Sequence, residues 1–121
     1  MRNILSSANL HDSIKKQVEN YHNDIVIEVA STITKNRLVI VGMKYNDSVY
    51  TARRALQKAD IAYSYLEYGS YFSQWRRRLA LKMWTGWPTF PMIFVDGKLV
   101  GGSKDLLSIL KENPKLSQLN D

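Results

Sequence analysis

Cysteine is absent from all 121 residues. That single absence excludes disulfides, thiolate zinc sites, iron–sulfur ligation and every cysteine nucleophile. Proline is scarce, with Pro88, Pro91 and Pro114 the only three, and no internal repeat or low-complexity tract is present. No apolar run approaches the roughly eighteen residues of a membrane span, which excludes a membrane-spanning helix. The stretch after Arg2 has no apolar core, so no secretory signal is expected and a cytoplasmic location is.

What is present is ordinary globular material. Apolar residues make up 45% and charged residues 23%, and the length suits one domain with its own hydrophobic core. Seventeen Lys and Arg against eleven Asp and Glu give a net charge of +6, which suits an acidic partner without requiring one.

Hydrophobic periodicity orders the chain. Asp12 or Ser13 can cap a helix with Ile14, Val18 and Tyr21 on one face. Residues 25–35 fit two patterns: Val26, Val29 and Ile33 suit a helix, while Ile25, Ile27 and Val29 alternate as in a strand, which β-branching favours. Leu38 to Val41 reads as a strand buried on both faces. A helix follows from Asp47 or Ser48, carrying Val49, Ala52, Ala55, Leu56 and Ala59 at helical spacing. Ala62 to Leu66 reads as a second strand and Ser70 to Met83 as a second long helix. Met92–Val95 and Lys98–Val100 flank Asp96-Gly97, a two-residue hairpin turn. Leu106, Leu107 and Leu110 then form the inner face of a last helix that ends before Pro114. The order β-α-β-α-β-β-α predicts a mixed sheet with helices on its faces.

Three stretches carry a resemblance. Trp87-Pro88-Thr89-Phe90-Pro91, the run Phe94 to Gly102 (FVDGKLVGG) and Leu66-Glu67-Tyr68-Gly69, at these spacings, resemble the glutaredoxin family over about residues 37–112. The resemblance implies a thioredoxin-like, glutaredoxin-type α/β fold: a mixed four-stranded sheet flanked by helices. It implies a leading helix over 25–35, against the local strand pattern, and a cis Pro91. The expected organisation is an N-terminal helical extension (1–24), the glutaredoxin-like domain (25–113) and a C-terminal tail (114–121).

The departure lies at the chemistry. The family places its reactive cysteine where the first strand turns into the following helix, whose N-terminus lowers the thiol pKa. Here that segment is Lys44-Tyr45-Asn46-Asp47-Ser48-Val49-Tyr50-Thr51. Three registers put the nucleophile and resolving positions at Asn46 and Val49, at Asp47 and Tyr50, or at Ser48 and Thr51. The first keeps Ala52, Ala55 and Leu56 on the buried face and is preferred. None supplies a thiol, so no catalytic residue is assigned, and Asp47 and Ser48 read most simply as a helix cap.

By resemblance, parts of a glutathione site remain. Lys44 would meet the glycine carboxylate, and Thr89, Phe90 and Pro91 would present main chain to the cysteinyl residue. Gly101, Gly102 and Ser103 would receive the γ-glutamyl carboxylate, with Asp105 facing the amine. No metal ligand set is expected, and glutathione is the one cofactor implied. The resulting expectation is a non-redox glutathione- or protein-binding module related to thiol–disulfide oxidoreductases and, through them, to redox homeostasis. One alternative is a transferase-like enzyme using Ser48 or Tyr50 to activate a bound thiol. Another is a basic adaptor that meets an acidic protein through Arg53, Arg54, Arg76, Arg77 and Arg78. Residues 44–82 hold eight basic and three acidic side chains, but no nucleic-acid motif or aromatic ladder accompanies them, so nucleic acid is disfavoured. If cysteines had been substituted in this chain, an ordinary glutaredoxin would be the reading instead.

Thiol–disulfide exchange passes through a mixed disulfide, and this chain has no sulfur nucleophile to form one. Purified protein is therefore expected to reduce no glutathione mixed disulfide above a protein-free blank. Of Asn46→Cys, Asp47→Cys and Ser48→Cys, only one should gain activity in that assay. Turnover by the unsubstituted chain, freed of contaminating thiol enzymes, would refute the expectation.

Overall fold

The computed structural model describes residues 2–116. Met1 and residues 117–121, most of the expected C-terminal tail, lie outside the described residues. The elements are α1 (Asp12–Glu19), α2 (Asn23–Lys35), β1 (Leu38–Gly42), α3 (Asp47–Lys58), β2 (Ser64–Glu67), α4 (Trp75–Thr85), β3 (Met92–Val95), β4 (Lys98–Gly101) and α5 (Ser103–Glu112), after a short 3₁₀ turn at Ser7–Asn9. No helix is long and apolar enough to cross a membrane among the described residues.

The expected mixed four-stranded sheet is present, in the order β2-β1-β3-β4. β1 and β2 run parallel and need the α3 crossover between them, whereas β1–β3 and β3–β4 are antiparallel. Every residue of the two central strands is buried, which is why they read as continuous apolar runs rather than alternating ones.

Period-two geometry then divides the core. Val39, Val41, Met92 and Phe94 face Ile25 and Val29 of α2 and Ala80 and Leu81 of α4. Leu38, Ile40, Ile93 and Val95 face Ala52 and Leu56 of α3 and Leu106 of α5. Helices α2 and α4 thus cover one face of the sheet, and α3 and α5 the other. Fully burying an aliphatic side chain of this size contributes about 1.5–3 kcal/mol.

Residues 25–35 are helical despite their β-branched content. Ile25 and Val29 are fully buried and Val26 and Ile33 pack beside them, while Ile27 is 59% exposed. A strand would have put Ile27 on the same face as Ile25 and Val29. Helix propensity costs a β-branched residue only a few tenths of a kcal/mol, less than this burial returns.

The second long helix starts later than its pattern suggests, at Trp75 rather than Ser70. Gly69 adopts φ +68°, and a Cβ there would lie 2.7 Å from the Ser73 carbonyl oxygen. The chain then turns on a Ser73 N–H to Ser70 carbonyl bond of 3.2 Å, and Gln74 is left-handed at φ 55°. Two serines that bond locally compete with helix in this stretch. In the N-terminal extension the cap is His11, whose Nδ1 accepts from Ser13 N–H at 3.1 Å, rather than Asp12 or Ser13. Arg2 fastens that extension to the end of α4 by donating to the Thr85 carbonyl at 2.8 Å.

Leu81 has no exposed surface, whereas Leu107, expected on the inner face of the last helix, is 42% exposed, because Leu106, Ile109 and Leu110 supply that face instead. Leu81→Ala should lower unfolding free energy by about 2–5 kcal/mol in urea titrations. Leu107→Ala should stay within about 0.5 kcal/mol. Equal effects would contradict this placement of the core.

Candidate functional site

The chain leaves β1 through buried Met43 into an exposed turn. Lys44 N–H donates to the Gly69 carbonyl at 2.7 Å, and Tyr45 is left-handed at φ 59°. Asn46 is the N-cap of α3, its side-chain oxygen accepting from Val49 N–H at 2.9 Å. The position preferred for the missing nucleophile is thus occupied by an amide that satisfies a helix terminus.

Asn46 borders a cleft of about 520 Å³. Its other walls are Tyr71, Arg78 and Lys82 on one side, Trp87 to Pro91 along the floor, and Gly102 to Asp105 opposite. The Phe90–Pro91 peptide bond is cis. Phe90 is buried, with the Lys82 ammonium 5.8 Å from its ring centre. At the far end α5 begins without a side-chain cap for its first turn. Asp105 bonds backwards, one carboxylate oxygen accepting from Gly102 N–H at 2.9 Å. Gly101 makes that possible: at φ +119°, its Cβ would lie 2.4 Å from the same oxygen.

The structure divides the sequence-predicted residues between two places. Asn46, Ser48, Thr89, Phe90, Pro91, Gly102, Ser103 and Asp105 all line this cleft. Lys44, Asp47, Val49 and Tyr50 line a second cleft instead, shared with Arg53, Arg54 and Tyr65. Thr51 lines neither; its hydroxyl donates to the Asp47 carbonyl along α3. Gly101 shapes the α5 terminus from beneath. Among the described residues no group of three or more His, Asp or Glu side chains comes together as a metal site.

The five arginines do not form one basic face. Arg53 and Arg54 lie on α3 and the other three on α4, on opposite sides of the sheet. Arg77 pairs with Asp24 at 3.0 Å, and Arg76 stacks on Trp75. Arg78 is only 7% exposed.

Two residues of the cleft were not legible as site residues. Arg78 sits inside an Arg-Arg-Arg run that reads as a solvated helix face. In fact its Nη1 donates to the carbonyls of Tyr68, at 2.9 Å, and Ser73, and no acidic side chain pairs with it among the described residues. Burial lowers its pKa from the ordinary guanidinium value, as expected of a cation removed from water without a counter-anion. The indole Nε1–H of Trp87 is buried without a hydrogen-bond partner among the described residues and lies close to Gly102. An orphaned buried donor is uncommon and costs free energy until something accepts from it.

With this geometry in view, similarity to known proteins decides the family. A protein of Dictyostelium discoideum named Glutaredoxin-like protein is 45% identical over 108 residues, spanning 89% of this chain and 88% of its own length. The chain belongs to the glutaredoxin family. Solved glutaredoxins share its fold: the buckwheat glutaredoxin–glutathione complex matches with a TM-score of 0.69 at 20% identity, over 78% of this chain and 86% of that one. Oxidized glutaredoxin 2 from Chlamydomonas reinhardtii matches at 0.64 and 22%, over 75% and 86%. No protein-family model matches the chain. This glutaredoxin-family member thus keeps the fold of its relatives and carries no cysteine.

Tyr65, beside the second cleft, is pushed up to about 12 by burial first and then by the hydrogen bond it donates to Glu67 at 3.0 Å. Tyr68 is raised as well, by burial and its bond to Glu28. Between about pH 10 and 12 the folded chain holds the Tyr65 proton more tightly than the unfolded chain does. The stability this linkage contributes is full below about pH 10 and is lost as pH rises through about 12. Denaturation midpoints measured across that window should fall less steeply in Tyr65→Phe. An identical slope would place the shift elsewhere.

Proposed function

We propose that this glutaredoxin-family chain is a non-redox module that binds glutathione without forming a covalent bond to it. The observation that carries the reading is a pair of anion-receptive ends bracketing a main-chain edge. Arg78 offers an unpaired, largely desolvated guanidinium at one end. The uncapped first turn of α5 and the orphaned Trp87 N–H stand at the other. Thr89, Phe90 and Pro91 run between them. Glutathione is extended, carries a carboxylate at each end and has peptide groups between, so its chemistry matches this layout. The glutathione complex of buckwheat glutaredoxin supports the same reading.

In this arrangement Arg78 meets the glycine carboxylate. Lys44, which resemblance assigns to that group, lines the neighbouring cleft. The free carboxylate oxygen of Asp105 remains for the γ-glutamyl amine, since the other is engaged by Gly102. Opposite the ligand's thiol stands an amide or a hydroxyl, Asn46 or Ser48, and neither can form a mixed disulfide.

With few polar contacts and no covalent capture, Kd is expected at ~1 mM, near 4 kcal/mol. Titrated glutathione should move the amide signals of Thr89, Phe90 and residues 102–105. Arg78→Gln should weaken binding by roughly tenfold, as removal of one charge-assisted contact does, and Lys44→Ala should change it little. Because Arg78 also braces the 69–74 turn, Ser103→Pro serves as a second probe: it removes a donor at the first helical position, where proline is tolerated. Saturating glutathione that leaves the cleft signals unmoved would refute the proposal.

A further inference from the structure

The cleft on the other side of Asn46, about 610 Å³ in volume, has a distinct chemistry and no part in the reading above. Lys44, Arg53 and Arg54 supply three cations to it, and Tyr45, Tyr50 and Tyr65 supply three phenol rings. We propose that this cleft binds a mononucleotide, with Lys44, Arg53 and Arg54 on its phosphate and the tyrosine rings against its base.

The arginines are held in place without being neutralised. Arg53 Nε donates to the Tyr63 hydroxyl at 3.1 Å, and its guanidinium lies 3.9 Å from the centre of the Tyr65 ring. The Tyr63 hydroxyl also accepts from Gln57 at 3.1 Å, which fixes its position. Arg54 donates to the Tyr50 hydroxyl at 3.1 Å. Neither arginine forms an ion pair among the described residues. Phenol hydroxyls therefore orient two forked donors with no carboxylate in direct contact with either, although the Glu67 charge acts on Arg53 from a distance, and both forks stay available to a phosphate. The hydrogen bond with Tyr63 raises the pKa of Arg53.

Two of the three rings are also open to solvent. Tyr45 is 84% exposed and Tyr50 63%. Tyr45 also holds a left-handed backbone at φ 59°, an outlier for a bulky residue and one that concentrates at ligand sites. Flat rings beside a stacked guanidinium suit a planar base, which isolated inorganic phosphate lacks. Two carboxylates share the cleft, Asp47 and Glu67. One oxygen of Glu67 accepts from Tyr65 at 3.0 Å. A carboxylate in such a place accepts hydrogen bonds from ribose hydroxyls, so a nucleotide uses acidic groups that would repel a bare anion.

The test titrates adenosine 5′-monophosphate into the ¹⁵N-labelled full chain, with adenosine and inorganic phosphate as separate arms. Saturable shifts confined to residues 44–57 and 63–67, at a Kd of about 0.1–1 mM, are expected. Each fragment alone should bind at least about tenfold more weakly. The exposed substitution Arg54→Gln should weaken the nucleotide by about tenfold while leaving the glutathione response unchanged. Three results would overturn the proposal: no saturable nucleotide binding, shifts in Thr89, Phe90 and residues 102–105 instead, or full affinity in both Arg54→Gln and Tyr45→Ala. Phosphate binding as tightly as the nucleotide would overturn the role of the rings.

Discussion

The buried guanidinium of Arg78 is the interaction on which the rest of the site depends. Its Nη1 gathers the carbonyls of Tyr68 and Ser73 and so ties the end of the second strand to the helix that covers it. That tie adds to the Lys44 N–H bond to the Gly69 carbonyl and to the serine hydrogen bonds in holding the turn from Gly69 to Gln74, which has two left-handed residues. The same group is a cation at the wall of the cleft, and no carboxylate pairs with it among the described residues. A buried charge of that kind costs free energy in the absence of a partner, and an anionic ligand offsets the cost. Stability of the turn and the proposed affinity for an anionic ligand therefore rest on one side chain.

The α3 N-terminus shows how the chemistry changed while the architecture stayed. At a helix start, partial positive charge favours a thiolate, and this is where the family resemblance places a reactive cysteine. Here the amide of Asn46 spends its oxygen on Val49 N–H, and its nitrogen reaches the Tyr71 hydroxyl at 3.4 Å. The terminus is satisfied by its own side chain, and no redox group exists for it to activate. Asn46 also separates the two clefts, facing the cis-proline on one side and the basic, tyrosine-lined hollow on the other.

Much of this was legible in the residues. The continuous apolar runs at Leu38–Val41 and Met92–Val95 name the central strands because both faces are covered, and Asp96-Gly97 names the turn between β3 and β4. Thr89-Phe90-Pro91 and Gly102 mark the floor and one wall of the cleft before any fold is drawn. Other features depend on tertiary context. A strand pattern over Ile25–Val29 loses to helix because the sheet buries a helical stripe there. The helix pattern from Ser70 loses to a turn anchored by Gly69. Arg78 cannot be told from Arg76 and Arg77 by sequence, since only the angle about α4 decides which of three arginines is buried. Lys44 is read into one cleft by resemblance and lies in the next, because the left-handed Tyr45 redirects the turn.

The role of Arg78 is tested most directly by comparing glutathione with its analogue in which the glycine carboxylate is a carboxamide. The unsubstituted chain should bind the carboxamide about tenfold more weakly, the size of one lost charge-assisted contact. In Arg78→Gln the two ligands should bind alike. Equal affinity of both ligands for the unsubstituted chain would contradict the assignment of Arg78 to the glycine carboxylate.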